Sequence, residues 1–534
     1  MTRPWLKHYP EGVRAHLEYP RVPLYALLDE TAAHHPDLTA LRFYQHRLTY
    51  RELAERVNRF AAALAGLGVR KGDRVALMLP NSPAYVIGYY GTLKAGGIVA
   101  QVNPLYTGRE LLHILNDSGA ETIVVADVLY PKVQSVQSGS PLKNVLVARL
   151  QGGVEPGPGA HSMEALIAGA APQAPEVAVD AGDVAVLQYT GGTTGVSKGA
   201  MLTHFNLVAN ALQVKEWMAG PAEPGQERIL TVLPLFHVYG MTVCMNFGLA
   251  TASELILLPR FEIAEVMNTI RETRPTFFPG VPTMYVAVNN FPDAESYGVS
   301  SIRRCNSGGA PLPFEVMQAF ERRFGSVLFE GYGLSEASPV THANPVVGLR
   351  KPGTIGIPYP DTDAEIVDIE TGERVLPPGE VGELRIRGPQ VMAGYWNRPD
   401  ETAKALRNGW LYTGDIAKMD EDGYFTIVER KKDMIITSGY NVFPREVEEV
   451  LYEHPAVLEA AVAGIPDPYR GEAVKAYVVL RPGMQATEEE IIAFCRERIA
   501  PFKAPRAVEF RDSLPKSAVG KVLRRLLTEG ERQA

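Results

Sequence analysis

The sequence predicts an α/β protein with a large N-terminal domain of layered β-sheets and helices and a small, mobile α+β C-terminal domain. The chain has 534 residues, which corresponds to about three to four domain-sized units. Short apolar runs alternate with helical patterns over most of the chain, which favours layers with much parallel sheet. Beyond residue 430 the pattern changes to a helix, a strand and a helix, as is typical of a small separate domain.

The predicted strands of the N-terminal domain are apolar runs that end at proline or aspartate. They comprise residues 74–80, 121–127, 229–234 and 254–259. Residues 151–182 are rich in Gly, Pro and Ala, which predicts a surface loop. The charge-free run between residues 228 and 254 is interrupted, so it predicts buried strands and turns rather than a membrane-spanning helix. The interrupting residues are Pro234, His237, Gly240 and Asn246.

The C-terminal domain is predicted from three amphipathic segments. Residues 444–457 predict a short helix that stops at Pro455, and residues 473–480 predict a strand. Residues 488–500 predict a second helix. One face of that helix is apolar and carries Ile492, Cys495 and Ile499.

The domain boundary is placed at a charged stretch, residues 430–433, where the pattern of apolar residues changes. The predicted domains are therefore residues 1–430 and residues 431–534.

Composition excludes several classes of protein. Hydrophobic residues make up 46% and charged residues 21% of the chain, which are ordinary globular values. The formal net charge is -8, so an overall basic excess for binding nucleic acid is absent and we expect no such partner. The three cysteines are far apart and support neither a disulfide framework nor a zinc site. A cytoplasmic location without a signal peptide or transmembrane segment is expected.

The most informative segment is residues 184–203, an apolar strand that runs into a loop of glycine, threonine and lysine and then into a helix. Leu207, Ala211, Val214 and Met218 form one stripe of that helix. Such a loop presents backbone N–H groups, hydroxyls and one positive charge to a phosphate. The groups concerned are Gly191, Gly192, Thr193, Thr194, Gly195 and Lys198. The loop matches neither GxxxxGK[ST] nor GxGxxG, which disfavours P-loop NTPases and Rossmann dehydrogenases.

Further motifs occur in a fixed order along nearly the whole chain. They are Tyr189-TGGTTGVSKG, Leu233-PLFHVYG, Ser307-GGAPLP, Glu330-GYGLSEASP, Asn408-GWLYTGD, Glu429-RKKDMIITSGYNVFPREVE and Pro515-KSAVGK. In these motifs the chain resembles the adenylate-forming superfamily of acyl-CoA synthetases, luciferases and peptide-synthetase adenylation domains, and within it the bacterial long-chain fatty acyl-CoA ligases. It departs from the superfamily at Ser197, where proline is common, and at Ser335, where threonine is common.

The resemblance implies an ATP-dependent fatty acid:CoA ligase acting on medium- to long-chain acids. The enzyme would form acyl-AMP and pyrophosphate and then acyl-CoA and AMP, with ATP and CoA as co-substrates and Mg²⁺ as cofactor. Thr190 and Glu336 would be the metal ligands, since a hydroxyl and a carboxylate are hard oxygen donors. The implied ATP-binding residues also include the loop residues above together with Gly309, Ala310, Glu330, Gly331, Tyr332, Gly333, Ser335, Asp415 and Arg430.

The same resemblance assigns individual roles in the nucleotide and acyl sites. Tyr332 would lie against the adenine. Asp415 would accept hydrogen bonds from the ribose hydroxyls, because a carboxylate only accepts, and Arg430 would be a second ribose contact. His237, where the acyl carboxylate and the adenylate meet, would be catalytic together with Glu336 and Lys521. The acyl pocket would include His237, Val238 and Gly240.

The C-terminal domain would serve both steps of the reaction. Lys521 would lie over the carboxylate and the α-phosphate during adenylation, as a compact charge on a flexible stem. Lys432 would be the hinge residue, within a hinge near residues 430–433, about which the domain rotates. Gly439 and Tyr440 would then bind CoA for the thiol step.

Three alternatives remain open at this point. The first is a ligase that loads acyl-AMP onto a separate carrier protein, and the second is a CoA ligase for aromatic, cinnamate-like acids. The third, a non-catalytic nucleotide or lipid binder, is disfavoured because five groups suited to adenylation occur together: Thr190, Glu336, Asp415, Arg430 and Lys521. A homodimer and a peripheral membrane contact are both compatible with a ligase whose substrate is a lipid.

Overall fold

The computed structural model describes residues 3–150, 156–190, 197–218, 224–431, 433–437, 440–467, 469–517 and 522–528, with the main chain alone at residues 190, 441 and 525. The chain divides into two compact units. The first comprises Met1–Asp363 and Arg387–Leu411, and the second comprises Ala364–Ile386 and Tyr412–Ala534. Residues 364–386 and 412–430, which the sequence assigns to the N-terminal domain, are thus grouped with the C-terminal part. The hinge near residues 430–433 stays a prediction.

A nine-stranded sheet forms one half of the first unit. Its six central strands are parallel, and antiparallel strands flank them on both sides. In spatial order the strands are Ile357–Pro358, Val340–Ala343, Val327–Gly333, Arg304–Ser307, Phe277–Gly280, Arg228–Thr231, Glu254–Leu257, Thr39–Phe43 and His46–Thr49. Strands buried on both faces require nearly continuous apolar runs, and this explains why the runs near residues 229 and 254 predict strands correctly.

An eight-stranded sheet forms the other half of the first unit. Six of its strands are parallel, and two antiparallel strands complete one edge. In spatial order they are Gly394–Tyr395, Lys198–Thr203, Val184–Thr190, Ile98–Gln101, Arg74–Met78, Thr122–Ala126, Asn144–Ala148 and Ala160–Ser162. The strands predicted near residues 74 and 121 are therefore confirmed. Their apolar side chains pack with those of Gly108–Ser118 into one buried cluster.

The helices of the first unit begin at well-defined caps. At Thr49 and Thr107 a capping box forms with Glu52 and Glu110, so that side chains satisfy the first backbone N–H groups. The α-helices are Tyr25–His34, Tyr50–Gly66, Pro83–Lys94, Gly108–Ser118, Tyr130–Gln137, Met163–Gly169, His204–Trp217, Phe247–Ala250, Ile263–Thr273, Pro282–Asn289, Phe314–Phe324 and Pro399–Ala405. The predicted stripe of His204–Trp217 and of Met218, which follows it, is buried, as expected.

Two segments differ from the prediction. The run after Arg228–Thr231 turns at residues 235–236, as predicted, but then forms a π-helix, Gly240–Asn246, that continues into Phe247–Ala250. Composition could not separate these possibilities, because a short run that is buried on all sides has no periodicity. The predicted surface loop at residues 151–182 contains an edge strand and the helix Met163–Gly169, since Met163 is buried and Ser162 caps the helix.

A third sheet of five strands involves residues 363–430. Its strands are Asp363–Val367, Gly382–Arg387, Trp410–Met419 and Leu406–Arg407 in that order, with Phe425–Arg430 also paired to Trp410–Met419. The boundaries between the two units fall inside this sheet. It matters for function because the pairing of Trp410–Met419 with Phe425–Arg430 carries two of the predicted site residues.

The C-terminal sheet of the second unit also has five strands. They are Tyr440–Val442, Ile435–Thr437, Gly471–Leu480, Val457–Asp467 and Ala507–Phe510. The helices Pro444–Tyr452 and Glu488–Arg496 confirm the predicted helices, and a short helix, Arg524–Thr528, follows. One detail is wrong: Ile491 rather than Ile492 lies in the core with Cys495, because residues four apart share a helix face.

In the described residues, no helix combines the length and the apolar character that crossing a membrane requires. The three cysteines, Cys244, Cys305 and Cys495, are free thiols buried in the protein.

Candidate active site

The glycine-rich segment lies between two antiparallel strands, Val184–Thr190 and Lys198–Thr203, in which Thr190 is paired with Lys198. The expected order of strand, loop and helix is therefore wrong. The helix begins only at His204, capped by Thr203, so its N-terminus does not directly follow the loop. Residues 198–203 instead extend the sheet as a strand.

Several predicted residues of this segment lie outside the described residues. They are Gly191, Gly192, Thr193, Thr194 and Gly195, and the side chain of Thr190 is likewise not described. The ends of the segment are fixed by the strand pairing and by a contact of the His113 ring, whose Nε2 lies 3.1 Å from the carbonyl oxygen of Ser197. The roles of these residues in binding phosphate stay predictions.

Lys198 is held by groups that the sequence does not point to. Its Nζ forms an ion pair with Glu401 of the helix Pro399–Ala405 and lies 5.3 Å from the centroid of the Tyr395 ring. Hydrogen bonds from Lys198 and Lys404 lower the pKa of Glu401 to about 2. The ion pair with Glu401 is therefore present over the whole neutral range.

Glu336 lies in a short 3-10 turn, Ser335–Ala337, directly after the strand Val327–Gly333. The hydroxyl of Tyr395 donates to Oε1 of Glu336 at 2.7 Å, and the Met392 amide donates to the carbonyl of Glu336 at 2.8 Å. Burial and the neighbouring Glu336 raise the pKa of Tyr395. A half-buried carboxylate is thus held close to the strand pair that flanks the glycine-rich segment.

Several residues predicted to bind ATP, among them Tyr332 for the adenine, come from two neighbouring strand ends. Ser307 is paired with Glu330 in parallel register, so Gly309 and Ala310, and the strand that includes Tyr332, follow the same edge of the sheet. Gly309 has φ of 79°, a conformation that favours glycine. Gly331 and Gly333 alternate with Tyr332, which is half-buried and meets the ring of His342 edge-on at 6.0 Å between centroids. The structure therefore brings these predicted residues together.

His237 follows the end of Arg228–Thr231, at the same edge of the nine-stranded sheet. The Tyr239 amide donates to Nδ1 of His237 at 3.3 Å, which favours the neutral tautomer with the proton on Nε2. Val238 and Gly240 are buried beside it. A Cβ at Gly240 would lie against the Pro234 carbonyl, so only glycine fits there without a shift of the main chain.

Asn81 supports the His237 segment and was not predicted. Its Nδ2 donates to the carbonyls of Thr231 and Leu233 at 3.1 and 2.9 Å, while its Oδ1 accepts from the Leu235 amide at 2.8 Å. Its side chain is buried. The local signal, an asparagine between two prolines, indicates only a turn, so nothing nearby in the sequence points to this contact.

Asp117 is a second unpredicted support, next to the glycine-rich segment. It accepts from the Tyr189 hydroxyl at 2.9 Å and from the Arg398 guanidinium at 2.7 Å. The indole of Trp396 donates to its backbone carbonyl at 3.2 Å. Asp117 thereby joins the strand that leads into the glycine-rich segment to the chain that follows Tyr395.

In the second unit, the structure brings Asp415 and Arg430 together. They are paired residues of Trp410–Met419 and Phe425–Arg430, and Arg430 Nε lies 3.5 Å from Asp415 Oδ1. The side chain of Asp415 is only 9% exposed.

The predicted CoA-binding residue Tyr440 is 56% exposed, and its ring is stacked on that of Phe502 with 4.7 Å between the centroids. Three other predicted residues of the second unit lie outside the described residues: Lys432, Gly439 and Lys521.

Comparison with known proteins identifies the class. The AMP-binding enzyme family matches residues 28–396, and the C-terminal domain of AMP-binding enzymes matches residues 446–521. The chain therefore belongs to the AMP-binding enzymes, which confirms the adenylate-forming family inferred from the motifs.

Individual proteins within this family are similar to the chain over nearly its whole length. The chain is 48% identical over 553 residues to the long-chain-fatty-acid–CoA ligase of Bacillus subtilis, covering 99% of this chain and 98% of that protein. It is 40% identical to the long-chain-fatty-acid–CoA ligase of Escherichia coli O6:H1, covering 100% and 99%. Among solved structures, ATP-bound MatB from Rhodopseudomonas palustris has a TM-score of 0.87 and 32% identity, covering 96% and 99%.

Proposed function

We propose that this protein is an ATP-dependent fatty acid:CoA ligase for medium- to long-chain acids. It forms acyl-AMP and pyrophosphate from the acid and ATP, and then acyl-CoA and AMP. The observation that carries this proposal is that the His237 segment, the adenine strand ends and the Glu336 turn all follow carboxyl ends of the same parallel sheet, the usual place for ligands in such sheets. The full-length similarity to long-chain-fatty-acid–CoA ligases supports the substrate class.

In the first step a carboxylate oxygen attacks the α-phosphorus of ATP, the bond to the bridging oxygen breaks and pyrophosphate leaves. Negative charge concentrates at the phosphates, so donors and cations there lower the barrier. The glycine-rich segment and Lys198 supply such groups, and Lys521 adds a positive charge over the carboxylate and the α-phosphate. His237, with its proton on Nε2, donates a hydrogen bond where the carboxylate meets the adenylate.

The donor set fits Mg²⁺. Glu336 is a half-buried carboxylate, and Mg²⁺ is commonly held by one or two carboxylates together with substrate phosphates. Within the described residues, no cluster of three or more His, Cys, Asp and Glu side chains could hold a metal by itself, so the phosphates would complete the ligand set. Glu336 and Thr190 would hold the ion, which neutralises charge on the phosphates when bound.

The nucleoside contacts are assigned from the motif match. Tyr332 offers an aromatic face to the adenine, and Gly309 and Ala310 follow the neighbouring strand of the same sheet. Asp415 accepts from the two ribose hydroxyls, and Arg430 adds a donor. These roles rest on the motif match and on the strand register described above.

In the second step the thiol of CoA attacks the acyl carbonyl, and AMP leaves with the electron pair of the broken C–O bond. Rotation about Lys432 exchanges Lys521 for the strand that contains Gly439 and Tyr440. The exposed Tyr440, stacked on Phe502, supports a surface role for this strand.

The function is tested with a panel of acids from acetate to oleate, together with cinnamates, by measuring AMP and acyl-CoA. In an apolar pocket each added methylene contributes up to about 0.8 kcal/mol, so kcat/KM should rise with chain length and then level off. A flat profile from C6 to C18, or a preference for acetate or a cinnamate, would contradict the fatty-acid substrate. A phosphopantetheinylated carrier protein that replaces CoA as the better acceptor would favour the carrier-loading alternative.

We further propose a cytoplasmic location, supported by three buried free thiols that suit a reducing compartment. A homodimer and a transient contact with a lipid surface belong to the same proposal. Analytical ultracentrifugation and co-sedimentation with phosphatidylglycerol vesicles test them: a monomer at all concentrations contradicts the dimer, and full recovery in the supernatant contradicts the lipid contact.

A further inference from the structure

We propose that Tyr395 is a positioning residue for Glu336: its hydroxyl binds Oε1 of the carboxylate, fixes the side chain and leaves Oε2 for the cation that accompanies ATP. This inference rests on the function proposed above. It adds a residue that none of the motifs given above contains, since Tyr395 lies between the Glu330 motif and the Asn408 motif.

The contact with Glu336 is direct and specific. Among the described residues, Tyr395 is the one side chain that donates a hydrogen bond to this carboxylate, at 2.7 Å. A hydrogen bond from a hydroxyl to an ionised carboxylate is stronger than a hydrogen bond between two neutral groups. A free glutamate side chain also samples several rotamers, and one such bond is enough to restrict them.

Tyr395 can position its partner because it is itself fixed. It is paired with Ala200 in the antiparallel edge of the eight-stranded sheet, and its amide donates to Oγ1 of Thr402 at 2.9 Å. On either side, the Ala393 amide donates to the carbonyl of Met201 and the Trp396 amide to that of Gly199.

The same segment also binds the main chain of Glu336. The Met392 amide donates to the Glu336 carbonyl at 2.8 Å, only three residues before the Tyr395 side chain reaches the carboxylate. Residues 392–396 are therefore tied on one side to the strand that follows the glycine-rich segment and on the other side to the Glu336 turn. This arrangement holds the two phosphate-site elements in one geometry.

The ring of Tyr395 also connects two charges. Lys198 Nζ lies over the ring at 5.3 Å, and the hydroxyl points to Glu336. A cation over an aromatic face is attracted to it, so the ring stabilises Lys198 as well.

The test measures binding rather than turnover. Calorimetry of full-length protein with α,β-methylene-ATP, without acid or CoA, is repeated over a range of Mg²⁺ concentrations. Tyr395→Phe keeps the ring but removes the donor. We expect the Mg²⁺ concentration for half-maximal binding to rise about tenfold, as for the loss of one hydrogen bond to a charged group, while binding without Mg²⁺ stays unchanged.

The matched control is Tyr19→Phe. The Tyr19 hydroxyl donates to Asp361 at 2.8 Å, a bond of the same kind within the same unit. This variant should leave the Mg²⁺ dependence as in the wild type. In a Glu336→Gln background, Tyr395→Phe should cause no further shift, because the group that it positions has lost its charge.

Two results would overturn the inference while keeping the proposed function. One is a Tyr395→Phe protein with wild-type Mg²⁺ dependence, and the other is equal weakening with and without Mg²⁺, which would indicate a purely structural role. In both cases Glu336→Gln would still abolish the Mg²⁺ dependence. If Glu336→Gln also leaves it unchanged, the metal assignment of the proposed function fails, and the inference fails with it.

Discussion

Asp415 and Arg430 are partners across two antiparallel strands, with Arg430 Nε 3.5 Å from Asp415 Oδ1. The carboxylate is nearly buried, at 9% exposure, while the guanidinium is 40% exposed. Strand register thus fixes an acceptor beside a more accessible donor before any nucleotide binds. Such preorganisation lowers the entropy cost of binding a ribose diol.

Asp415→Asn tests this arrangement. The amide replaces one acceptor oxygen with a donor and removes the charge beside Arg430, so we expect kcat/KM for ATP to fall about 10- to 100-fold, as for the loss of a charged hydrogen bond. Initial rates at varied ATP concentrations give kcat/KM for ATP. Asp512→Asn, at an exposed position of the same unit, is the control. A change in KM for the acid alone would contradict the ribose role.

Gly240→Ala tests the lack of space at Gly240, which is predicted to line the acyl site. The new methyl group would meet the Leu233 carbonyl at 2.9 Å and lie even closer to that of Pro234. The main chain that carries His237 must then move, which costs about 1–3 kcal/mol. We expect a lower unfolding temperature in scanning calorimetry and altered chain-length specificity.

The matched control for that substitution is Gly66→Ala, at the end of a helix, where an added Cβ would meet nothing within 4 Å. Its unfolding temperature should be unchanged or slightly higher, because alanine favours a helix over glycine. Equal effects of the two alanines would show that crowding at Gly240 is unimportant.

The first unit should become less stable to unfolding at acidic pH, because His204 is buried in its neutral form. This side chain is 1% exposed, accepts the Leu24 amide at Nδ1 at 3.0 Å, and has its pKa lowered by burial from 6.5 to about 4. The unfolded chain binds the proton more tightly, so this contribution to stability is complete above pH 6.5. It is lost as the pH falls from 6.5 towards 4, by up to about 1.4 kcal/mol per pH unit.

His204→Asn should make the free energy of unfolding less dependent on pH in that range, because an amide oxygen can accept from Leu24 but does not titrate. Urea unfolding at half-unit steps of pH measures the slope. His46→Asn, at an exposed strand position, should keep the wild-type slope. If the free energy of unfolding depends on pH in the same way for His204→Asn and the wild type, this histidine is not the source of the pH dependence.

Lys521→Ala should separate the two half-reactions. The charge acts while the carboxylate attacks the α-phosphorus, so acyl-AMP formation should fall by at least about a hundredfold. Thioester formation from supplied acyl-AMP and CoA should persist. Lys418→Ala, which removes an exposed lysine of the same unit, should leave both steps unchanged. Equal losses in both steps would mean that Lys521 has a structural role.

The hinge prediction has its own variant, Lys432→Pro. Proline fixes φ, so it should hinder rotation and slow thioester formation, while adenylation persists if the proline-compatible conformation is the adenylating one. The two half-reactions are assayed as for Lys521. Equal loss of both would contradict a hinge at this position.

The parts of the fold that sequence could predict are those set by local pattern. The strands Arg74–Met78 and Thr122–Ala126 are continuous apolar runs, as parallel strands covered on both faces must be. Helix His204–Trp217 follows from its apolar stripe. The π-helix Gly240–Asn246 could not be predicted, because an entirely buried segment carries no periodic signal.

The contacts that hold the site could not be predicted for a different reason. Tyr395 and Glu336 are separated by 59 residues, and Asp117 and Arg398 by 281. Such contacts form only when the sheets of the first unit have folded. Each residue by itself is an ordinary tyrosine, acid or arginine, without a sequence pattern that marks its partner. The motifs mark groups that are predicted to touch the substrates, whereas the groups that orient these side chains have no local pattern.

The buried helix Gly240–Asn246 has a practical consequence for redesigning the acid that the enzyme accepts. Met241, Cys244 and Met245 are all fully enclosed, so enlarging or shrinking one of them alone creates a clash or a cavity. Libraries that vary neighbouring positions jointly at constant total volume should therefore yield folded variants with new chain-length preferences far more often than single-site saturation. A screen that starts from one position at a time would discard useful residues as folding failures.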